Sequence, residues 1–298
     1  MIELFQQRDF GNKINATFQY ITRNFQSLGL ALLYIVGPVA LVAGIAAGVV
    51  QSNMLRLVRE SANVGTNDFT AAFQVVGFLS SPSLWLTTLF TLLTNIAVIL
   101  TTYAHMKVYE RNRGSFVSVA KVWEEVEPVI GRAILISILN SIIVGVGFIF
   151  FFIPGIYFAI VLSLSLAVTS FEDTNFGATW SRCFQLIRNK WWSTLGLIFI
   201  MALIVLVIVL VFVFFLPATI IKFLTDAKLL PNVSIVWLIL GNVINQISRT
   251  LLSVVIYMAI GFQYTNLVER QEGRGMQSAI DTIGTAPTQP RSTDEEMY

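Results

Sequence analysis

AILISILNSIIVGVGFIFFFIPGIYFAIVLSLSLAVTS, residues 133–170, holds no charged side chain and is broken only by Pro154-Gly155. A bilayer core about 30 Å thick takes about 20 helical residues per crossing, so this run is too long for one crossing and fits two. The reading is a hairpin, with one span over 133–153, a bend at Pro154-Gly155 and a second span over 156–170. The second is short, so it either extends through Phe171 or is shielded by neighbours. A helix satisfies its backbone N–H and C=O groups within one segment, as lipid demands, and the hairpin therefore commits the chain to an all-α architecture.

Working outward, further apolar runs cover 28–50, 84–106 and 195–216, the last stopping at Pro217, and a sixth lies within 235–268. Hydrophobic residues make up 55% of the chain and charged residues 12%, about half the charged share of a soluble domain. Lipid solvates such a surface directly. The expected fold is a polytopic membrane helical bundle of about six transmembrane helices. The first residues carry Glu3, Arg8, Asp9 and Lys13 with no apolar core, so they are not read as a cleavable signal and the first span serves as the insertion signal.

Basic residues set the orientation. Arg8, Lys13 and Arg23 precede span one. Lys107, Arg111, Arg113, Lys121 and Arg132 follow span two, Arg182, Arg188 and Lys190 follow span four, and Arg270, Arg274 and Arg291 lie in the tail. The opposite side has only Arg56, Arg59, Lys222 and Lys228, fourteen against four with Arg249 set aside. This places both termini in the cytoplasm of a bacterial inner membrane. The net charge of +2 argues against a nucleic-acid partner. A single cysteine, Cys183, and a single histidine, His105, exclude a disulfide framework and a His-rich metal site.

Segments before spans one, three and five share a pattern. Phe10, Ile14, Phe18, Ile21 and Phe25 are matched at a constant offset by Phe176, Trp180, Phe184, Ile187 and Trp191. Gly11 and Gln19 are likewise matched by Gly177 and Gln185. Val119, Trp123, Val126 and Ile130 give a weaker middle copy. Steps of three and four put these side chains on one helical face. Lys13, Asn15, Gln19 and Arg23, or Arg182, Gln185, Arg188 and Asn189, fall on the other. Asp9 and Asn175 stand where an N-cap belongs. Such helices either lie in the headgroup region or pack as connectors beneath the bundle. The domain of residues 1–273 thus divides into parallel units of about 9–113, 114–174 and 175–270, each an interfacial helix plus two spans. Residues 274–298 form a disordered tail.

The stretch IPGIYFAIVLSLSLAVTSFEDTNFGATWSRCFQLIRNKWWSTLG resembles the Ile-Pro-Gly hairpin and Trp-ending helix of the glycerophosphoryl diester phosphodiesterase membrane-domain family. The closing YTNLVERQEG is similar to the end of that family's last span. The likeness covers most of residues 9–273. It implies a membrane domain alone, because the family's reaction belongs to a separate TIM barrel of about 250 residues.

No nucleophile elbow, Walker loop, dinucleotide fingerprint or HExxH motif appears, and no catalytic, cofactor or metal residue is expected. Glu124, Glu125 and Glu127 read as a solvated face with Lys121, and His105 as an interfacial polar residue. Asn242, Asn245, Gln246 and Arg249 form a polar stripe in the sixth span, either at membrane depth or, by length, near the outer interface where Arg249 can snorkel. Asn95 and Asn140 are deeper amides that bond a neighbouring helix or line a cavity. Candidate lipid-interface residues are Phe18, Phe25, Trp123, Trp180, Arg182, Arg188, Lys190 and Trp191. The leading expectation is a non-enzymatic protein that handles membrane lipids or envelope components. A small permease lined by the intramembrane amides is the alternative, followed by a subunit or assembly factor that meets a membrane-protein partner or a second copy.

Overall fold

A computed structural model describes residues 2–64, 76–150, 152–211, 235–275 and 277. The chain is an all-α polytopic bundle: six helices are long and apolar enough to cross a membrane, and no strand occurs among the described residues. The first span begins with α2 (Phe25–Ala31), passes through a π turn at Leu32–Val36 and continues as α3 (Gly37–Val64). Pro38 has no N–H to give and its ring crowds the preceding turn, and the wider π turn just before it relieves both problems. The second span is α4 (Pro82–Arg111), opened by a proline where no hydrogen bond is lost. Helix α11 (Ile235–Glu272) is the hub, packing against α3, α4, the fifth span α10 (Trp191–Val209) and α1 (Phe10–Arg23).

The hairpin forms, with a shifted bend. Helix α6 (Ile130–Phe150) ends at Phe150 and α7 (Phe152–Leu162) begins at Phe152, so Pro154-Gly155 lies in the first turn of α7 rather than at the fold-back point. First-turn N–H groups have no partner inside a helix, which is why proline is tolerated there. A Cβ on Gly155 would fall 2.8 Å from the Phe148 backbone nitrogen. The glycine thus serves the close approach of the two helices. The fourth span continues after a break near Ser163 as α8 (Ser165–Glu172). Together Phe152–Glu172 covers 21 residues, about 31 Å of helix and enough for a full crossing.

Both described ends meet on one face of the bundle, called the basal face below. The Ile2 amide donates to the Tyr109 hydroxyl at 3.1 Å, Phe5 meets Phe171 edge-on, and Arg274 lies over the Phe5 ring. Arg274 and Gly275 are therefore ordered where a disordered tail was expected, with the Gly275 amide 2.6 Å from a Glu269 carboxylate oxygen. Residues 276 and 278–298 lie outside the described residues. So do the expected end of the fifth span at Pro217, Lys222, Lys228, and residues 65–75 of the connection between the first two spans, whose first part is helix through Val64.

Small residues set the closest crossing. A Cβ on Gly44 would fall 2.7 Å from the Val243 Cα, and one on Gly48 would fall 2.8 Å from the Ile239 Cα. Two glycines four apart thus bring α3 and α11 into backbone contact, the arrangement that favours helix association where lipid offers no hydrophobic driving force. Gly44→Leu and Gly48→Leu are each expected to destabilise the protein by about 2 kcal/mol, read as a lower unfolding midpoint in detergent. Gly131→Ala, at a position with nothing within 4 Å, is expected to leave the midpoint near that of the wild type.

Candidate functional site

Helix α1 starts as its sequence indicates: the Asp9 carboxylate accepts from the Asn12 amide at 2.9 Å. Asn175 does the same for Ala178 at the start of α9 (Phe176–Ile187). The middle pre-span helix is α5 (Val119–Val126), joined to α6 (Ile130–Phe150) by a 3-10 turn. The face of α1 that turns inward is a surprise. Lys13, Thr17 and Tyr20 are buried, and their counterparts at the same offset, Thr179, Cys183 and Leu186, are buried on α9. The ring face is only half-covered: Phe10, Ile14 and Phe18 pack against Leu197, Met201 and Ala259.

Lys13 was expected on the outward polar face. It is instead 4% exposed, because α1 lies across the inner ends of α10 and α11 and finds polar partners there. Its ammonium donates to Gln263 Oε1 at 2.7 Å and to Ser193 Oγ at 3.4 Å, and Gln263 in turn donates to Thr194 Oγ1 at 2.8 Å. His105, expected at the interface, is fully buried, with Nδ1 2.9 Å from the Tyr20 hydroxyl and Nε2 3.0 Å from Ser27 Oγ. Both ring nitrogens are occupied, which makes His105 a pin between α1, α2 and α4.

The basal face sorts its cations. Glu125, expected on a solvated face, turns inward to accept Lys107 at 2.9 Å and Arg111 at 2.7 Å. Asp173, in a left-handed conformation after α8, takes Arg132 at 3.0 Å. Arg182 pairs with Glu172 at 3.0 Å and with Glu272, which also holds Arg274. Burial works against the Arg182 charge, but Glu272 and Glu172 outweigh it and hold its pKa above the ordinary value. Burial pushes the Cys183 thiol up to about 12, so it is an unreactive packing group.

Four other cations, Arg8, Lys13, Lys190 and Arg270, form no ion pair among the described residues. They line one pocket of about 90 Å³ together with Asp9, Phe10, Ser193, Gln263, Asn266 and Leu267. Arg8 is 8% exposed. Its guanidinium donates to the Leu4 and Glu3 carbonyls and lies 5.3 Å from the Phe262 ring centre. Asn266 donates to the Arg8 carbonyl at 3.0 Å and accepts from Arg270 Nε at 3.1 Å. Burial lowers the Arg8 pKa. Burial, then Arg270 and Lys190, push the Lys13 ammonium down to about 8, with Asp9 acting the other way. Sequence reasoning named Lys190 for other reasons and missed this pocket. Its members come from three stretches far apart in the chain, and the only available signal was that Lys190 and Arg270 lie at the edges of spans.

The expected intramembrane amides do not converge. Asn95 is exposed and donates to the Thr91 carbonyl of its own helix at 3.0 Å. Asn140 donates to Ser165 Oγ at 2.7 Å and lies 3.4 Å from Trp180 Nε1, joining α6 to α8 and α9. Asn242 donates to Gln51, and Arg249, exposed, donates to Asn245 at 2.9 Å. Gln246 is half-buried nearby. A void of about 600 Å³ between the first span and α11 is lined by Phe25, Leu28, Leu33, Leu251 and Val254 among other apolar groups and by none of these amides.

The lipid-interface candidates divide. Phe25 (74% exposed), Trp123 (43%), Arg188 and Lys190 face outward. Phe18, Trp180, Arg182 and Trp191 are half-buried against protein, and Trp191 stacks on Tyr157. The outward ring at that corner is Trp192, 78% exposed. No protein-family model, curated protein or solved structure matches the chain, and among the described residues no cluster of His, Cys, Asp and Glu could hold a metal ion.

The folded protein holds the Lys13 proton less firmly than the unfolded chain, whose lysine keeps the ordinary value of 10.5. Its charge therefore opposes folding below about pH 8, and that cost fades as pH rises toward 10.5. The stability of the wild type relative to Lys13→Met is expected to rise by about 2 kcal/mol between pH 7.5 and 10.5. The difference isolates Lys13 because the Cys183 contribution is common to both proteins. Denaturant unfolding in detergent across that range checks it, and a flat difference would place the Lys13 pKa at its ordinary value.

Proposed function

We propose that this chain is a non-enzymatic membrane protein of a bacterial inner membrane, with both termini cytoplasmic, that binds anionic phospholipid along its basal face. The observation that carries the reading recurs at the foot of spans one, three and five. In each place an exposed ring lies within four residues of an exposed cation that forms no ion pair among the described residues: Phe25 with Arg23, Trp123 with Lys121, and Trp192 with Arg188. Rings with an apolar body settle at the headgroup boundary, and each nearby Lys or Arg gains about 1 kcal/mol against an anionic surface. The fourteen-to-four basic asymmetry supports the orientation. The three pre-span helices then act as one repeated interfacial device, and membership of the membrane-domain family that the Ile-Pro-Gly hairpin resembles belongs to the same proposal.

A transport reading lacks an observation of its own, since Asn95, Asn140 and the 242–249 stripe are occupied by separate partners. The test is charge reversal at the rim. Arg23→Glu, Lys121→Glu and Arg188→Glu combined are expected to lower the phosphatidylglycerol and cardiolipin co-purified per chain several-fold against zwitterionic lipid. Arg182 is left intact because its ion pairs with Glu172 and Glu272 are structural. An unchanged lipid ratio in a correctly folded triple variant would refute the reading.

A further inference from the structure

We propose that the pocket bounded by Arg8, Lys13, Lys190 and Arg270 is a seat for a single phosphate group. This rests on the lipid reading above and names the chemistry of one site within it.

Four cations against one carboxylate, Asp9, leave a formal charge of +3 in a void of about 90 Å³. Elsewhere on this face the protein spends its carboxylates on cations: Glu125, Asp173, Glu172 and Glu272 each hold at least one. Here Arg8 and Lys13 are more than nine-tenths buried, and among the described residues no carboxylate forms a direct ion pair with either, Glu3 and Asp9 acting on them only at longer range. Two buried charges in one void without a direct ion pair are costly, and an oxyanion between them lowers that cost. Asp9 is already engaged in capping α1.

Donors remain for the ligand. Lys13 has three N–H groups, of which Gln263 and Ser193 take two. Arg270 commits Nε to Asn266 and keeps its terminal N–H groups. Ser193 accepts from Lys13, which leaves its own hydroxyl proton to give. The void is several times the ~10–15 Å³ that one water requires, space for a tetrahedral oxyanion. Residues at the first turns of α1 and α10, Phe10 and Ser193, also line it, and the partial positive charge of helix starts favours an anion there.

The depth fits the same chemistry. Lys190 immediately precedes the fifth span, and Trp192, the most outward ring of that corner, is its near neighbour. A phosphate at this level comes either from a phospholipid headgroup in the leaflet or from a soluble phosphate entering from the basal side.

The experiment uses the full chain in detergent, stripped of loosely held lipid, with two probes: phosphatidylglycerol followed by native mass spectrometry, and inorganic phosphate followed by thermal shift. One phosphatidylglycerol per chain is expected to survive, or phosphate is expected to raise the unfolding midpoint. Lys190→Gln with Arg270→Gln, both at exposed positions, is expected to weaken whichever probe binds at least tenfold, while Arg188→Gln changes it less than twofold. Lipid retention without a phosphate effect assigns the seat to a headgroup, and phosphate protection that competes with the lipid assigns it to a soluble ester. As a second readout, saturating probe should move the Lys13 titration above about pH 8. Absence of both effects, or binding unchanged in the double variant, would overturn the proposal. The rim triple variant separates the two claims: it should deplete bulk anionic lipid yet keep the single seated group.

Discussion

A polar group buried at the foot of a membrane bundle must find a partner inside the protein, and α1 exists in its observed place because of that constraint. Tyr20 and Lys13 face inward at opposite ends of the helix, one on His105 of α4 and the other on Gln263 of α11. Each contact alone contributes about 1 kcal/mol, while leaving either partner unmatched would cost about 1–3 kcal/mol. That asymmetry makes the contacts selective. If α1 slipped by one residue, both inward groups would rotate about 100° away and His105 and Gln263 would be stranded. The helix register follows, and with it the positions of Arg8, Asp9 and the N-terminal segment that closes over Tyr109 and Phe171.

The same constraint divides the basal cations into two classes. Arg182 and Lys107 sit between carboxylates from different elements, so they join α9 to α8 and α11, and α4 to α5. Exposed pairs of this kind contribute little, but these are half-covered and linked, and Tyr264 adds a hydrogen bond to Glu172 at 2.8 Å. The second class forms no ion pair among the described residues. Its exposed members, Arg23, Lys121 and Arg188, remain available to the leaflet, whereas its buried members collect in the pocket beside α10.

Much of the fold was legible in sequence, for identifiable reasons. Lipid enforces long apolar runs, so the spans stood out. The N-caps at Asp9 and Asn175 were readable because capping needs only one side chain and the amide three residues on. Pro154 misled because a proline in a first turn looks the same, in one dimension, as a proline at a bend. The short fourth run became a full span because Phe171 and Glu172 continue the helix against protein rather than lipid. Periodicity found the ring face of α1 and α9, which is half-covered by protein, but not the polar stripe of α1 that is buried more deeply. It measures apolarity, and here the buried stripe is Lys13, Thr17 and Tyr20, of which Lys13 and Tyr20 are matched to partners more than eighty residues away.

The pocket illustrates the harder case. Its four cations come from the N-terminal segment, α1, the residue before α10 and the end of α11, and on the sequence each looks like an ordinary positive residue flanking a span. Only the fold shows that paired and unpaired cations separate in space. That separation also bears on what the spans do. The amides that might have lined a path, Asn95, Asn140 and Asn242, each bond a helix locally or across one contact. The cations that form no ion pair among the described residues lie instead on the basal face, which the packed spans hold together.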